Sequence, residues 1–417
     1  MPLANYEKER EMKSKFMHIV LGVLVIASLV LAGCSSAATT QAPAATTAAV
    51  TTEAATAATV ADTTAPTAID FDAALASLDG KVFSQGPHGE AATPAGDITL
   101  TDEDLTKIKD MHATAAIVMH YAGNDWSTAQ IAGLKAQFAK MGIDVIATTD
   151  ANFDSAKQVS DIETVLAMKP SIIVSIPTDP VATADAYKKA ADAGVKLVFM
   201  DNVPNGLEQG KDYVSVVSAD NYGNGVASAH LMAKALGGKG KIGIIFYQAD
   251  FFVTQQRYEA FKKTITEDYP EIQIVDEEGF SGSDQAGESQ QLASAMMTKY
   301  PDINGIWGVW DVPAEGIMAA ARAMNRTDLV ITCSDLGLNV AVELAKSDGM
   351  LKGLGAQRPY DQGVTEALLA GYGLLGKTAP AYVAWSALPV THDNVLEAWT
   401  TVYHADPPQS LVDASKK

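Results

Sequence analysis

Two cysteines in 417 residues, Cys34 and Cys333, are too few for a disulfide framework, so the fold must stand on its hydrophobic cores. Basic residues are also scarce. Thirty Lys and Arg face 50 Asp and Glu, and the resulting net charge of −20 repels nucleic acid and other polyanions. That charge places no restriction on an uncharged ligand. Histidine is sparse too, with seven residues, no HExxH or HxxxH spacing and no cysteine pairs beside them, so no metal or cofactor is expected. There is no G-x-x-x-x-G-K-[ST] phosphate loop, no nucleophile elbow and no pair of acid–base carboxylates with a metal motif. The Gly223-Asn224-Gly225 stretch lacks the remaining glycine pattern of a phosphate cradle and is read as close helix packing. An enzyme is therefore not expected.

What is present is first an address. Lys8, Arg10, Lys13 and Lys15 make a basic start, diluted by Glu7, Glu9 and Glu11, and the 14-residue apolar run Ile19–Ala32 follows. A spanning helix needs about 20 apolar residues, so this run has the size of a signal h-region. It ends in Leu31-Ala32-Gly33-Cys34, which resembles the bacterial lipobox. The resemblance implies that residues 1–33 are a cleaved signal and that Cys34 is lipidated, holding the protein at the outer face of the cytoplasmic membrane. In residues 35–68, 25 of 34 positions are Ala or Thr, with no buried-face pattern, so 34–68 reads as a disordered tether. Residues 69–110 carry a few apolar positions (Phe71, Leu75, Leu78) and a loop at Gly86-Pro87-His88-Gly89, the composition of an accessory wrap over the main body.

From Ala115 onward, short apolar runs alternate with amphipathic segments. Ala115–Tyr121, Ile143–Thr149, Ser171–Pro177, Lys196–Asn202 and Tyr213–Asp220 read as buried parallel strands. Ile131, Leu134, Phe138 and Met141 show the spacing of three and four that marks a helix. A second series follows: Lys241–Tyr247, Ile272–Phe280, Gly305–Asp311, Val330–Leu336 and Lys352–Arg358. Two such series imply an α/β fold of two similar, doubly wound parallel-sheet lobes facing one another. Open α/β sheets bind ligands beyond the carboxyl ends of their strands.

Those ends are rich in polar and aromatic groups. The first lobe offers Asn124, Asp125, Trp126, Asp201 and Asn202; the second offers Trp310, Asp311, Asp335, Gln357 and Arg358, with Phe251 and Arg257 after its first strand. Carboxylates and amides share hydroxyl protons, Arg donates to several oxygens, and aromatic faces cover the C–H side of a sugar. Each residue also has a plainer use. Asp311, before Val-Pro-Ala-Glu, looks like a helix cap, Asp201 and Asp335 suit either role, and Trp126 and Trp310 taken singly suit a core. Their joint placement at matching ends of two sheets points to a cleft for a small, neutral, polyhydroxylated ligand.

From about Ala115 to Tyr403 the chain resembles the sugar-binding periplasmic proteins of the ribose-binding type, a fold shared with the effector domains of lactose-repressor-like regulators. Asn124 with Trp126, Asp201-Asn202, Phe251, Arg257 in Arg257-Tyr258-Glu259-Ala260-Phe261, Trp310-Asp311, Asp335 and Gln357 match positions where that family holds its ligand. Asn202 stands where the family has Arg, and Trp310 where it has Asn. The resemblance thus implies fewer polar groups, more bulk and a short or linear polyol or pentose-sized sugar. It further implies three crossings between lobes, near 219–220, 357–358 and 384–386. The lobes are then 111–219 plus 358–384 and 220–357 plus 385–405, with 406–417 as a tail. A monomer that closes on its ligand and docks on the permease subunits of an ABC transporter follows by the same resemblance. The alternative partner is a receptor kinase or chemoreceptor. A regulator of the same fold needs a DNA-binding headpiece where this chain carries a signal and a tether.

Overall fold

The computed structural model describes residues 69–249 and 251–416; the signal segment, Cys34 and the tether expected from sequence lie outside them. The chain enters with helix α1 (Phe71–Ala76), a short strand β1 (Thr93–Pro94) and helix α2 (Asp102–Asp110). The first strand–helix series is then β2 (Thr114–Met119), α3 (Asp125–Met141), β3 (Asp144–Asp150), α4 (Ser155–Ala167), β4 (Ile172–Ser175), α5 (Ala184–Asp192), β5 (Lys196–Met200) and β6 (Ser215–Ala219). The second runs through α6 (Asn221–Leu236), β7 (Gly240–Tyr247), α7 (Phe252–Asp268), β8 (Ile272–Phe280), α8 (Gln285–Lys299), β9 (Gly305–Gly308), α9 (Asp311–Ala323), β10 (Val330–Ser334), α10 (Leu338–Leu344) and β11 (Leu351–Ala356). Helix α11 (Pro359–Leu375), strands β12 (Tyr382–Trp385) and β13 (Leu388–Val390), and helices α12 (Val395–Tyr403) and α13 (Gln409–Ala414) complete it.

Every strand expected from the apolar runs is present, most of them two or three residues shorter at the carboxyl end. The trimmed residues are the ones with other duties. Asp201 and Asp335 turn into left-handed backbone, with φ of 56° and 66°, which ends pairing. Trp310 becomes the N-cap of α9. Strands β12 and β13 did not register in the sequence. Tyr382–Trp385 is only four residues long and β13 only three, too short for an alternation to stand out.

The strands form two sheets, in the orders β1-β12-β6-β5-β4-β2-β3 and β13-β11-β10-β9-β7-β8. All neighbours are parallel except β13, which runs antiparallel to β11. The chain therefore passes from the first sheet to the second after β6, returns after β11 and passes again between β12 and β13. Helices cover both faces, as buried parallel strands require. The first lobe has two separate cores: Ile117, Phe138 and Val174 lie on the α3–α11 side of its sheet, and Ile173, Tyr187 and Phe199 lie on the α4–α5 side. In the second lobe one continuous core includes Phe261, Trp307, Ile331 and Leu354.

Local signals fix the helices. Asn124 and Ser127 form a reciprocal capping box on α3, Asp154, Asp220 and Asp284 cap α4, α6 and α8, and Pro359 opens α11. Helices α3 and α11 cross very closely. A Cβ on Gly133 would meet the Tyr360 carbonyl oxygen at 2.0 Å, and one on Gly363 would meet the Gln130 carbonyl oxygen at 2.3 Å.

Residues 69–110 make a strap that touches both lobes in turn. Phe71 stacks on Tyr269 of the second lobe at 5.9 Å, and Asp72 pairs with Lys234. The Phe83 and Ser84 amides then donate to Asp220 at the first crossing, at 3.0 and 2.9 Å. Finally β1 pairs with β12 at the edge of the first sheet, and α2 packs on α3 and α11.

Candidate functional site

The cleft is built where β5, β6, β10 and β11 end. A single hydrogen-bonded circuit runs through it. Ser218, on β6, donates to Asp201 and accepts from the Asn221 amide at 2.9 Å. Asn221 in turn accepts from Arg257 Nε at 2.8 Å, and Arg257 Nη1 reaches Asp335 at 2.9 Å. The other Asp335 oxygen accepts from Gln357 Nε2 at 2.8 Å, and Gln357 accepts from Gln362 on α11 at 3.2 Å. The circuit starts in the first lobe, crosses at β6–α6, traverses the second lobe and returns at β11–α11.

Its electrostatics follow from burial. Arg257 is 3% exposed, and its guanidinium is held by Asp335, Asn221 and the Val309 carbonyl. Asp201 is pushed up to about 6, chiefly by burial; the Ser218 hydroxyl and Arg257 oppose that push, and Asp335 adds to it. Burial and the neighbouring Asp335, with Glu315 and Asp125 farther out, also push Asp311 up, against one backbone N–H from Val312. The left-handed backbone at both Asp201 and Asp335 is costly for a residue with a Cβ, and Asp tolerates it better than most. Such outliers persist where the surroundings over-determine them, commonly at functional sites.

The two lobes touch across the cleft. Leu338 N donates to Asp125 at 2.9 Å, and Phe251 stacks on His120 with ring centroids 6.1 Å apart. Between them lies a small cavity bounded by Trp126, Asp311, Asp335, Gly337, Gln357 and Tyr403, among others. Of the residues expected from sequence, Trp126, Asp311, Asp335 and Gln357 line this cavity, and Asp201 and Arg257 are joined to it by the circuit. The other four have visible work elsewhere. Asn124 caps α3 through Ser127 N at 2.9 Å, and Asn202 donates to the Pro177 carbonyl at 3.3 Å. Trp310 packs edge-on to Tyr247 and Phe280, and Phe251 packs on the first lobe's core. The cap reading of Asp311 fails: Trp310 is the N-cap, and Asp311, as the first helical residue, accepts among the described residues only from Val312 N, at 2.9 Å. Trp310 does not narrow the cavity either, because its ring is spent on the second lobe's core.

Sequence reasoning missed Ser218, Asn221 and Gln362, the links that make separate strand ends into one circuit, and His120, around which Trp126, Phe153 and Phe251 gather. Burial lowers the His120 imidazole to about 3, so it is neutral at physiological pH. Its place directly after the strand-end Asp220, at the start of α6, was the available signal for Asn221. Tyr403 reaches the site from α12, far along the chain, and gave no local signal. Among the described residues, no group of His, Cys, Asp and Glu is arranged to hold a metal, and no helix is long and apolar enough to cross a membrane.

Residues 115–377 match the periplasmic binding protein domain, a span that covers more than half the chain. The chain belongs to the periplasmic binding protein family. It is similar to the D-ribose/D-allose-binding protein of Pseudomonas aeruginosa, 30% identical over 179 residues that make up 42% of this chain and 55% of that protein. Similarity to the D-apiose import binding protein of Actinobacillus succinogenes is 25% over 247 residues, 59% of this chain and 77% of that one. The alignment thus spans about half the length of the first relative and about three quarters of the second. An arabinose binding protein from Geobacillus stearothermophilus superposes with a TM-score of 0.60 at 26% identity, covering 68% of this chain and 98% of the other. The two-lobed parallel-sheet architecture is that of these proteins, and the resemblance to the ribose-binding type holds.

Proposed function

We propose that this chain is the solute-receptor component of an ABC importer for a pentose-sized sugar or sugar alcohol, held at the outer face of the cytoplasmic membrane by lipid on Cys34. The observation that carries the reading is the circuit from Asp201 to Gln362. It draws hydrogen-bonding groups from both lobes through two of the three crossings and presents them at the cleft. In this reading Asp201, Asp335 and Arg257 hold hydroxyls by charge-assisted hydrogen bonds and Trp126 covers an apolar ring or chain face. Only the closed arrangement brings both walls to the ligand, so ligand stabilises closure, and closure is what the permease subunits read. The small cavity supports a short ligand. Names of relatives that bind ribose, allose and apiose support a carbohydrate.

A thermal-shift screen of the purified protein against pentoses, hexoses and C4–C6 polyols tests the ligand class. A ligand that binds only the native state raises the melting temperature by mass action, and pentose-sized compounds are expected to give the largest shift. A larger shift with hexopyranoses, amino acids or organic acids would overturn the assignment. Fatty-acid labelling tests the anchor: label is expected on the parent and lost in Cys34→Ala, and equal labelling of both rules the anchor out.

A further inference from the structure

The charges in the cleft do not balance. Asp201, Asp311 and Asp335 bring three carboxylates to it, with Asp125 and Glu315 close enough to act on Asp311. Against them stands one guanidinium, Arg257, already bound to Asp335, Asn221 and Val309. Arg358 is committed elsewhere: it pairs with Asp361 and lies 4.2 Å over the Trp385 ring. His120 is neutral, and Glu366, buried behind Asp201 and bonded to Gln130, is pushed well up by burial.

Asp311 is the group left over. It is 8% exposed, one of its oxygens accepts from Val312 N at 2.9 Å, and the other has no donor among the described residues. That second oxygen, Oδ2, lies over Gly337, where a Cβ would come within 2.1 Å of it, and Asp311 and Gly337 both line the cavity. Neighbours able to donate are committed elsewhere. Tyr403 hydroxyl goes to the Leu336 carbonyl, and Gln357 Nε2 goes to Asp335. Across the cavity, the buried Trp126 indole N–H lacks an acceptor. A buried carboxylate without a cation is costly, so burial and Asp335 favour its protonated form, and a ligand cation in that position can take the proton's place.

We propose that the ligand carries a protonated amine that docks on Asp311, so that the cleft takes an amino sugar or amino polyol in preference to its hydroxyl counterpart. This rests on the carbohydrate reading above and replaces only its neutral charge. The remaining hydroxyls go to Asp201, Arg257 and Asp335, and the Trp126 N–H meets a ligand oxygen. Because burial and Asp335 push the Asp311 carboxyl up, an arriving ammonium draws its proton off, and binding releases a proton to solvent.

Titration calorimetry on the purified protein at pH 7 tests this with matched pairs: 1-amino-1-deoxyribitol against ribitol, 2-amino-2-deoxy-D-ribose against D-ribose, and D-glucosamine against D-glucose. In at least one pair the amine is expected to bind tenfold or more tightly. Its apparent enthalpy should vary with the ionisation enthalpy of the buffer in the sense of proton release. In Asp311→Asn, which keeps the shape of the side chain, amine affinity should fall at least tenfold. Neutral members binding as well as or better than their amines, with no proton released, would overturn the proposal and leave the carbohydrate reading intact. If no member of any pair binds while unrelated solutes do, the carbohydrate reading fails and this inference fails with it. The parent's own preference within each pair decides the matter even where the variant does not fold.

Discussion

At the carboxyl ends of the first sheet the cleft meets a ring cluster, His120 with Trp126 and Phe153, and one buried carboxylate, Asp201. At the matching ends of the second sheet it meets Arg257, Asp311 and Asp335, with the nearby aromatics Trp310, Tyr247 and Phe280 withdrawn into that lobe's own packing. Two lobes of one architecture thus divide the work of recognition. One supplies apolar surface with an indole donor, and the other supplies charge that is nearly all committed in advance. One strict correspondence between them is the left-handed Asp at each strand end, Asp201 in one and Asp335 in the other. Symmetry of fold here fixes where the polar groups sit and leaves their chemistry free to differ.

The largest effect should come from the charged side. Asp335→Ala leaves the buried Arg257 guanidinium without its carboxylate and Gln357 without an acceptor, and breaking a buried pair from one side costs about 3–5 kcal/mol. Chemical denaturation should show that loss, with ligand affinity down by roughly 100-fold or more; a loss under about 1 kcal/mol would mean that the circuit is ornamental. On the first lobe the counterpart is a pH effect. Asp201 sits near 6 in the fold, above its unfolded value, so its contribution is complete below about 4 and is lost as pH rises through about 6. Relative to the parent, Asp201→Asn should therefore gain about 2–3 kcal/mol between pH 4 and pH 7. Denaturation curves with a constant difference across that range would remove Asp201 from the titrating set.

Weaker still is the indole. Trp126→Phe keeps an aromatic face and deletes the unpaired N–H, and should cost about 1 kcal/mol of ligand affinity with little change in stability. A stability loss without an affinity change would return Trp126 to the core. The smallest expected change is at the strap: Ser84→Ala removes the hydroxyl that donates to Asp220 at 2.8 Å but keeps the backbone donors of Phe83, Ser84 and Gly223. About 0.5–1.5 kcal/mol of stability should go with it.

The scaffold was legible in the sequence because buried parallel strands are near-continuous apolar runs, and Ile117, Val174 and Ile331 could hardly be placed elsewhere. Asp201, Asp335 and Gln357 were legible as strand-end residues, and Arg257, inside α7, through the family's R-x-E-x-F segment. Their linkage was not. Ser218 and Asn221 look like any small polar residues at a strand–helix junction, and only the folding together of β6, α6 and α7 gives them partners. Trp310 misled for a related reason. A large ring at a strand end can face the cleft or its own lobe, and the choice belongs to Tyr247 and Phe280, which lie 63 and 30 residues away in the chain. Taken singly, Asp311 suits a cap as well as a ligand contact, because position alone says nothing about which residue begins the helix.

The strap brings mechanics to this division. It is fastened to the second lobe at Phe71, pinned beside the first crossing at Asp220 and sewn into the first sheet at Thr93. If the lobes turn about the crossings, a pin near the axis keeps a constant distance from each outer fastening. The strap then rides with both lobes, neither limiting how far the mouth opens nor opposing closure. A backbone cut between Gly80 and Lys81 keeps every fastening, so the spread of shapes seen by small-angle scattering should stay unchanged, and a wider spread would show that the strap holds the lobes back.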